Sequence, residues 1–330
     1  MEMVNVTLTT PVSDECKKQI TDVGPRIKLA DASDLLRLEH RGDPAARERL
    51  DTLLADTEVI YGFRLPRNVM ARAPRLKWIQ AMSAGVNHFL DADMQAGAVI
   101  LTNTSGIHAA PISEFVIGLM LMFAKQATAC FQAKQEKQWR RLTPVLLRDK
   151  TVGIVGLGSI GREVARLAGA FHMRVLATRR SAKKQGRARY VDTVFPPSQL
   201  HRLLAGSDFV VVALPLTQET AKFIGEAELR AMKPGAYLIN IARGDIVDEA
   251  ALVRALEEHW IAGAGLDVFV TEPLPAESRL WELPNVILTP HISGGMEDYD
   301  QQAAGLFAEN LGRYLSGRKL LNVVDKGKGY

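Results

Sequence analysis

Cysteine is almost missing from this chain of 330 residues: Cys16 and Cys130 are the only two. Two are too few for a disulfide framework, and they lack the spacing of metal ligands. The expectation is a protein of the reducing cytoplasm with no metal site. An excess of one charge is missing too, with 41 basic against 37 acidic residues and a net charge of +4. Outside "RRSAKKQGRAR" and the tail "DKGKGY" the signs are mixed along the chain, which gives no case for a nucleic-acid partner. Long apolar runs are absent as well. The longest, "FVIGLMLMFA" from Phe115 to Ala124, falls far short of the roughly 20 residues a bilayer requires, so no membrane partner is expected. The opening "MEMVNVTLTT" has no basic region leading into an apolar run, so no secretory leader is read there.

What the chain does contain is a balanced globular composition, 47% hydrophobic and 24% charged, at a length that suits two domains. The first hundred residues alternate short apolar runs ("NVTLTT", "IKLA", "EVIYGF", "LKWIQA", "AVILTN") with polar helical stretches such as "PAARERLDTLLADT". A second series begins at Thr151, with strands at "TVGIVG", "RVLATR", "FVVVAL", "AYLINIA", "GAGLDVF" and "VILTPH". Helices are expected between most of them, at 160–171, 220–232 and 248–258. A long helix over 109–136 is expected between the two series, and another near 296–316. Alternation of this kind predicts α/β architecture, and strands with little polar alternation predict parallel sheets covered on both faces.

"TVGIVGLGSIGREVARLAGAF" sets Gly156, Gly158 and Gly161 in G-x-G-x-x-G spacing. A glycine triplet alone is weak, but this one follows an apolar strand and opens an amphipathic helix, the context of a dinucleotide-binding turn. The three glycines then permit, in turn, a tight bend, backbone approach to the pyrophosphate, and close packing of helix on strand. The helix start adds unpaired N–H groups and partial positive charge. About twenty residues on, such a unit usually carries an acidic ribose ligand. Here "RVLATRRSA" offers Thr178, Arg179 and Arg180 instead. A neutral hydroxyl removes the repulsion of a 2′-phosphate, and two arginines supply charge-assisted bonds to it. NADP(H) is the expected cofactor, with NAD(H) possible.

Three later strands end in reactive side chains: "AYLINIA" delivers Arg243, "GAGLDVF" is followed by Glu272, and "VILTP" delivers His291. Ligands gather at the carboxyl ends of parallel strands, so these residues and the glycine turn open onto one sheet edge. Arginine presents paired donors to a carboxylate, histidine exchanges a proton near neutral pH, and a neighbouring carboxylate orients a histidine and favours its charged form. That set fits hydride transfer to a carbonyl beside a carboxylate.

At these residues the chain resembles the D-isomer-specific 2-hydroxyacid dehydrogenases, a family that includes glyoxylate/hydroxypyruvate reductases. "VGIVGLGSIGREVA", "ALPLTQET", "MKPGAYLINIARGDIVDEAALVRAL", "AGAGLDVFVTEPLP" and "LPNVILTPHISG" match its motifs in order. The resemblance implies two doubly wound parallel-sheet domains: a Rossmann NAD(P)-binding domain at 102–291 inserted into a flavodoxin-like substrate domain built from 1–101 and 292–330. It implies that Arg243 holds the substrate, that His291 is the acid/base, and that Glu272 is its partner. Ser159, Ile160, Ala213, Leu214, Pro215, Thr220, Ile241, Ala242, Asp267 and Gly294 would meet the cofactor. Asp267 in particular would lie near the nicotinamide amide. "MSAGVNHF" resembles the family's substrate loop, with Ala84 and Gly85 donating backbone N–H groups to the carboxylate, although Asn87 stands where the family usually has Asp. Phe63 is placed to narrow the substrate pocket and Arg64 to meet a second anionic group. The implied substrate is a small 2-keto acid or D-2-hydroxy acid, with NADPH-driven reduction of glyoxylate or hydroxypyruvate foremost. The 109–136 helix is similar to the one such enzymes use to form homodimers. Two alternatives share the fold: a dinucleotide-sensing corepressor-like protein, and a dehydrogenase of another substrate such as phosphite.

Overall fold

The computed structural model describes residues 3–329, and these form two compact units, 3–107 with 296–329, and His108–Gly295. The first holds a five-stranded sheet of β1 (Val4–Leu8), β2 (Ile27–Asp31), β3 (Val59–Gly62), β4 (Trp78–Ala81) and β5 (Ile100–Thr102) in the order β2-β1-β3-β4-β5. Every pairing is parallel, and this is the flavodoxin-like strand order. β3 and β4 are buried along their whole length, so their side chains divide between two cores. Val59, Tyr61 and Trp78 pack with Phe307 and Leu311 of the helix Tyr299–Leu315. Ile60 and Ile79 pack with Leu36, Leu50 and Leu54 on the other face. Tyr61 stacks on Phe307 with centroids 4.4 Å apart, and each such ring contributes about 2 kcal/mol of burial. The helix Pro44–Ala55 is set locally, since Asp43 accepts from the Ala45 and Ala46 amides at 2.9 and 3.2 Å and proline opens the first turn.

The second unit holds an eight-stranded sheet. Its strands are β6 (Thr151–Val155), β7 (Arg174–Thr178), β8 (Gly186–Ala188), β9 (Val191–Phe195), β10 (Phe209–Val212), β11 (Tyr237–Asn240), β12 (Gly263–Leu266) and β13 (Val286–Leu288). The order is β13-β12-β11-β10-β6-β7-β9-β8, parallel except where β8 meets β9. Counted along the parallel strands from β6, this is the 3-2-1-4-5-6 doubly wound pattern, with one further strand beside the sixth. Its direction switches between β6 and β10, the place where such sheets bind ligands.

Several sequence expectations need correction. The crossings lie at 107/108 and 295/296, not at 101/102 and 291/292. Thr102 bridges Val323 and the Asn103 amide donates to Asn322 at 3.2 Å, which keeps 102–107 with the first unit. At the other crossing the Ile292 and Ser293 amides donate to Asp267, which keeps 292–295 with the second. The expected 109–136 helix is two helices, Ala109–Ala124 and Ala127–Gln135, bent by 61°. Gln126 takes a left-handed φ of 55°. The returning segment seals the break, with the Val145 amide on the Ala124 carbonyl at 2.9 Å and Gln126 Nε2 on the Thr143 carbonyl at 2.6 Å. No single helix among the described residues is long and apolar enough to cross a membrane. The expected 220–232 helix shortens to Glu226–Arg230, and β8, inside the basic stretch, forms a hairpin with β9 just past it.

Candidate active site

The last residues of six strands stand in register across the second sheet. Thr178 pairs with Val155, Val155 with Val212, Val212 with Asn240, Asn240 with Leu266, and Leu266 with Leu288. At about 4.8 Å per strand this row runs roughly 24 Å. The residues that follow it therefore form one edge: Arg179, Gly156, Ala213, Ile241, Asp267 and Thr289. Sequence positions 110 apart, Thr178 and Leu288, thus belong to one line.

Gly156 turns out of β6 with φ +108°, a conformation that L side chains rarely adopt, and an added Cβ would lie 2.6 Å from the Ala213 carbonyl oxygen. At Gly161 a Cβ would lie 2.2 Å from the Gly156 carbonyl oxygen, so the helix Ser159–Ala170 must pack directly on the turn. At Gly158 a Cβ would meet nothing within 4 Å. Protein packing does not require that glycine, whereas a pyrophosphate crossing the turn does. Gly158 is also the N-cap of that helix and provides no side-chain bond to its first turn, and an uncapped helix start of this kind suits an anion. The residues present fit a dinucleotide.

Thr178 is buried, and its Oγ1 accepts from the Gly156 amide at 3.3 Å. It steadies the turn while its own proton stays available to donate. Arg179 and Arg180 are exposed beside it. Ala213, Leu214 and Pro215 follow β10. The Thr220 hydroxyl, expected at the cofactor, donates to the Pro215 carbonyl at 2.7 Å and accepts from the Thr217 amide at 2.8 Å, so it shapes the 215–220 turn.

Past β11, Ile241 and Ala242 are buried. Asn240, also buried, accepts from the Ala242 amide at 3.1 Å and donates to the Arg243 carbonyl at 3.0 Å. One amide side chain thus fixes both sides of the turn that presents Arg243. The guanidinium is part-buried and donates to the Ala242 carbonyl at 2.6 Å, keeping its other donors for a ligand.

Glu272 and His291 meet, with Oε2 2.8 Å from Nδ1. A carboxylate only accepts, so Nδ1 carries a proton, and Nε2 is the nitrogen that Glu272 does not hold. The Phe269 amide holds Oε1 at 3.0 Å. His291 itself has φ 54°, an uncommon state for a residue with a Cβ. Asp267 imposes the bend. Fully buried, it accepts the Thr289 hydroxyl at 2.6 Å and the Ile292 amide at 2.9 Å on one oxygen, and the Ser293 amide at 2.9 Å on the other. Both oxygens of the aspartate expected near the nicotinamide amide are thus engaged with the segment that carries His291.

In the first unit Ala84 and Gly85 lie in the loop after β4. Each carbonyl from Met82 to Gly85 accepts an internal bond, from the Tyr299 hydroxyl, the Thr104 amide, Asn103 Nδ2 and the Ser83 hydroxyl in turn. The Met82 amide in turn donates to the Gly62 carbonyl at 3.0 Å, which ties the start of the loop to β3. Phe63 stacks on Tyr299 at 6.1 Å, and Arg64 is exposed. Nothing in the sequence singled out Asn240, Thr289 or His108: Asn240 and His108 bond backbone atoms of neighbouring residues, and Thr289 bonds the Asp267 carboxylate. Among the described residues no cluster of side chains could hold a metal ion.

Residues 117–293 match the model of the NAD binding domain of the D-isomer specific 2-hydroxyacid dehydrogenases. A glyoxylate reductase of Thermofilum pendens is 36% identical over 310 residues, 90% of each chain. Glyoxylate/hydroxypyruvate reductase B of Pectobacterium carotovorum is 37% identical over 284 residues, 82% of this chain and 87% of that one. Among solved structures, the NADPH-dependent glyoxylate/hydroxypyruvate reductase of Sinorhizobium meliloti, in complex with NADP and sulfate, superposes with a TM-score of 0.82 at 29% identity, with both chains covered in full.

Proposed function

The chain belongs to the D-isomer-specific 2-hydroxyacid dehydrogenases, NAD(P)-dependent oxidoreductases that interconvert 2-keto and 2-hydroxy acids, and from that premise we propose that it is an NADPH-preferring reductase of glyoxylate, hydroxypyruvate or a close relative. The observation that carries the reading is the Glu272–His291 pair at 2.8 Å, on the same strand-end edge as Arg243 and a glycine turn shaped for a dinucleotide. The nicotinamide cofactor supplies the hydride. Arg243 holds the keto acid's carboxylate and polarises its carbonyl. His291 Nε2 gives a proton to the oxygen as it becomes an alcohol, and Glu272 holds the ring and its positive charge in place. The amides of Ala84 and Gly85 are proposed as further carboxylate donors.

The NADPH preference rests on Thr178, Arg179 and Arg180. A neutral side chain stands at the end of β7, with two exposed arginines following it. The Sinorhizobium enzyme, similar along its whole length, is NADPH-dependent and holds NADP. A homodimer is proposed from the segment after the helix break: Phe131, Trp139, Val145 and Leu146 are all exposed, Trp139 by 94%, more apolar surface than a free monomer usually presents in one short stretch. One buried and one exposed free cysteine fit the reducing cytoplasm.

The test is a matrix of 2-keto acids against NADPH and NADH. Glyoxylate or hydroxypyruvate should be reduced, with kcat/KM at least about tenfold higher for NADPH, a difference of roughly 1.4 kcal/mol. Replacing Thr178 with Asp and both arginines with Ser should reverse that ratio. No turnover on any 2-keto acid would defeat the reading.

A further inference from the structure

A cleft of about 400 Å³ opens near the start of β7, where Met173, Val175 and Val191, all buried, give it an apolar floor. Thr178 ends the same strand, so roughly 10 Å of strand separates the cleft from the glycine turn. Several residues of its wall are not explained by the fold alone. Gly169 lies in the last turn of the helix Ser159–Ala170, its backbone is not left-handed, and a Cβ there would meet nothing within 4 Å. Neither packing nor conformation requires glycine at that place, and alanine is the better helix former. Tyr190 takes a left-handed φ of 62° in the two-residue turn between β8 and β9, where glycine or asparagine is the unstrained choice. The strain sets an exposed aromatic ring on the wall, with the Arg189 guanidinium 4.8 Å from its centroid.

Two opposite charges line the same cleft without pairing with each other. The Arg187 guanidinium is exposed and has neither an ion pair nor a hydrogen bond among the described residues. Asp192 accepts the Val175 amide on Oδ2 at 2.8 Å, while its Oδ1 has no partner among the described residues. A guanidinium suits a carboxylate, and a carboxylate oxygen suits an ammonium donor. An apolar floor beside an aromatic ring suits a flat apolar body. An aromatic amino acid brings all three, and the cleft lies within the range of about 300–1,000 Å³ usual for small-molecule sites. We propose that this cleft binds a free aromatic amino acid, with its carboxylate on Arg187, its ammonium on Asp192 Oδ1, and its ring between the floor and Tyr190. Gly169 then leaves the room that a methyl group would take. The site is separate from the residues proposed for hydride transfer.

Isothermal titration with L-phenylalanine, 3-phenylpropionate and phenethylamine tests the assignment without any turnover. L-phenylalanine should bind once per chain, and each analogue, which lacks one of the two charges, at least about tenfold more weakly. Arg187→Gln should weaken L-phenylalanine at least about tenfold. Gly169→Ala should weaken it to a similar degree with Tm unchanged or higher, a combination that a purely structural glycine would not give. No saturable heat from L-phenylalanine at up to about 10 mM would overturn the proposal. So would wild-type affinity in either variant, which would place the ligand elsewhere on the chain. Equal affinity for 3-phenylpropionate would overturn it too, by taking Asp192 out of the site.

Discussion

Arg243 and His291 are presented by neighbours that never need to touch a substrate. Asn240 fixes the turn before the arginine, and Asp267 binds the segment on both sides of the histidine. At this scale the sequence was informative about chemistry and silent about support. Arginine, glutamate and histidine at strand ends are uncommon enough to be noticed, whereas a buried Asn or a half-buried Thr beside them has no signature until its partners are known. Asp267 was visible, yet its engagement was not, because the bonds it accepts come mostly from backbone amides 25 and 26 residues away. For the reactive pair the expected outcomes differ in kind. His291→Ala should lower kcat by about 10²–10⁴-fold, the usual contribution of a positioned acid. Arg243→Ala should raise KM as well as lower kcat, since the role proposed for the guanidinium is to bind both ground state and transition state. Steady-state kinetics on hydroxypyruvate checks both, and wild-type constants for either variant would take that residue out of the mechanism.

Elements were legible where local sequence and tertiary demand agreed. The five strands of the first sheet and six of the eight in the second fall on apolar runs, because parallel strands are covered on both faces. The hairpin of β8 and β9 escaped notice: β8 is short and mostly exposed, and β9 includes Asp192, whose carboxylate accepts the Val175 amide of β7 at 2.8 Å. The break at Gln126 depends on a segment that returns from residues 143–145, and no periodicity in 109–136 could announce it. The glycine turn offers the sharpest test at this level, since its members differ in what surrounds them. Gly161→Ala forces a Cβ against backbone and should destabilise the protein by about 1–3 kcal/mol, seen as a lower Tm. Gly158→Ala has open space and should leave Tm within about 2 °C while raising KM for NADPH at least tenfold, if the pyrophosphate passes there. Equal effects of the two changes on Tm would contradict the division of roles.

For the molecule as a whole, length and strand count implied two units, and the positions of the crossings came from contacts that the sequence does not display, such as the bridge from Thr102 to Val323. The assignment of Met1–Ile107 with Met296–Tyr330 to substrate, and of His108–Gly295 to the nucleotide, remains our proposal. Assembly is testable at this scale. If the exposed stretch around Trp139 pairs two chains, sedimentation should give a dimer for the wild type. Trp139→Ser together with Leu146→Ser should then weaken it at least tenfold. A wild-type monomer at micromolar concentration would end that reading.

The helix Tyr299–Leu315 has a consequence for how the protein is made. All five strands of the first sheet have been synthesised by residue 102, yet Phe307, which packs on Tyr61 and Trp78, is added some 200 residues later. The unit His108–Gly295, whose strands and core belong to one unbroken stretch, can close during synthesis, while the sheet made first must wait with an aromatic face uncovered. Of the two sheets, the one made first is therefore the last to become native, and a chain cut short before residue 299 would carry one finished unit joined to a sticky one.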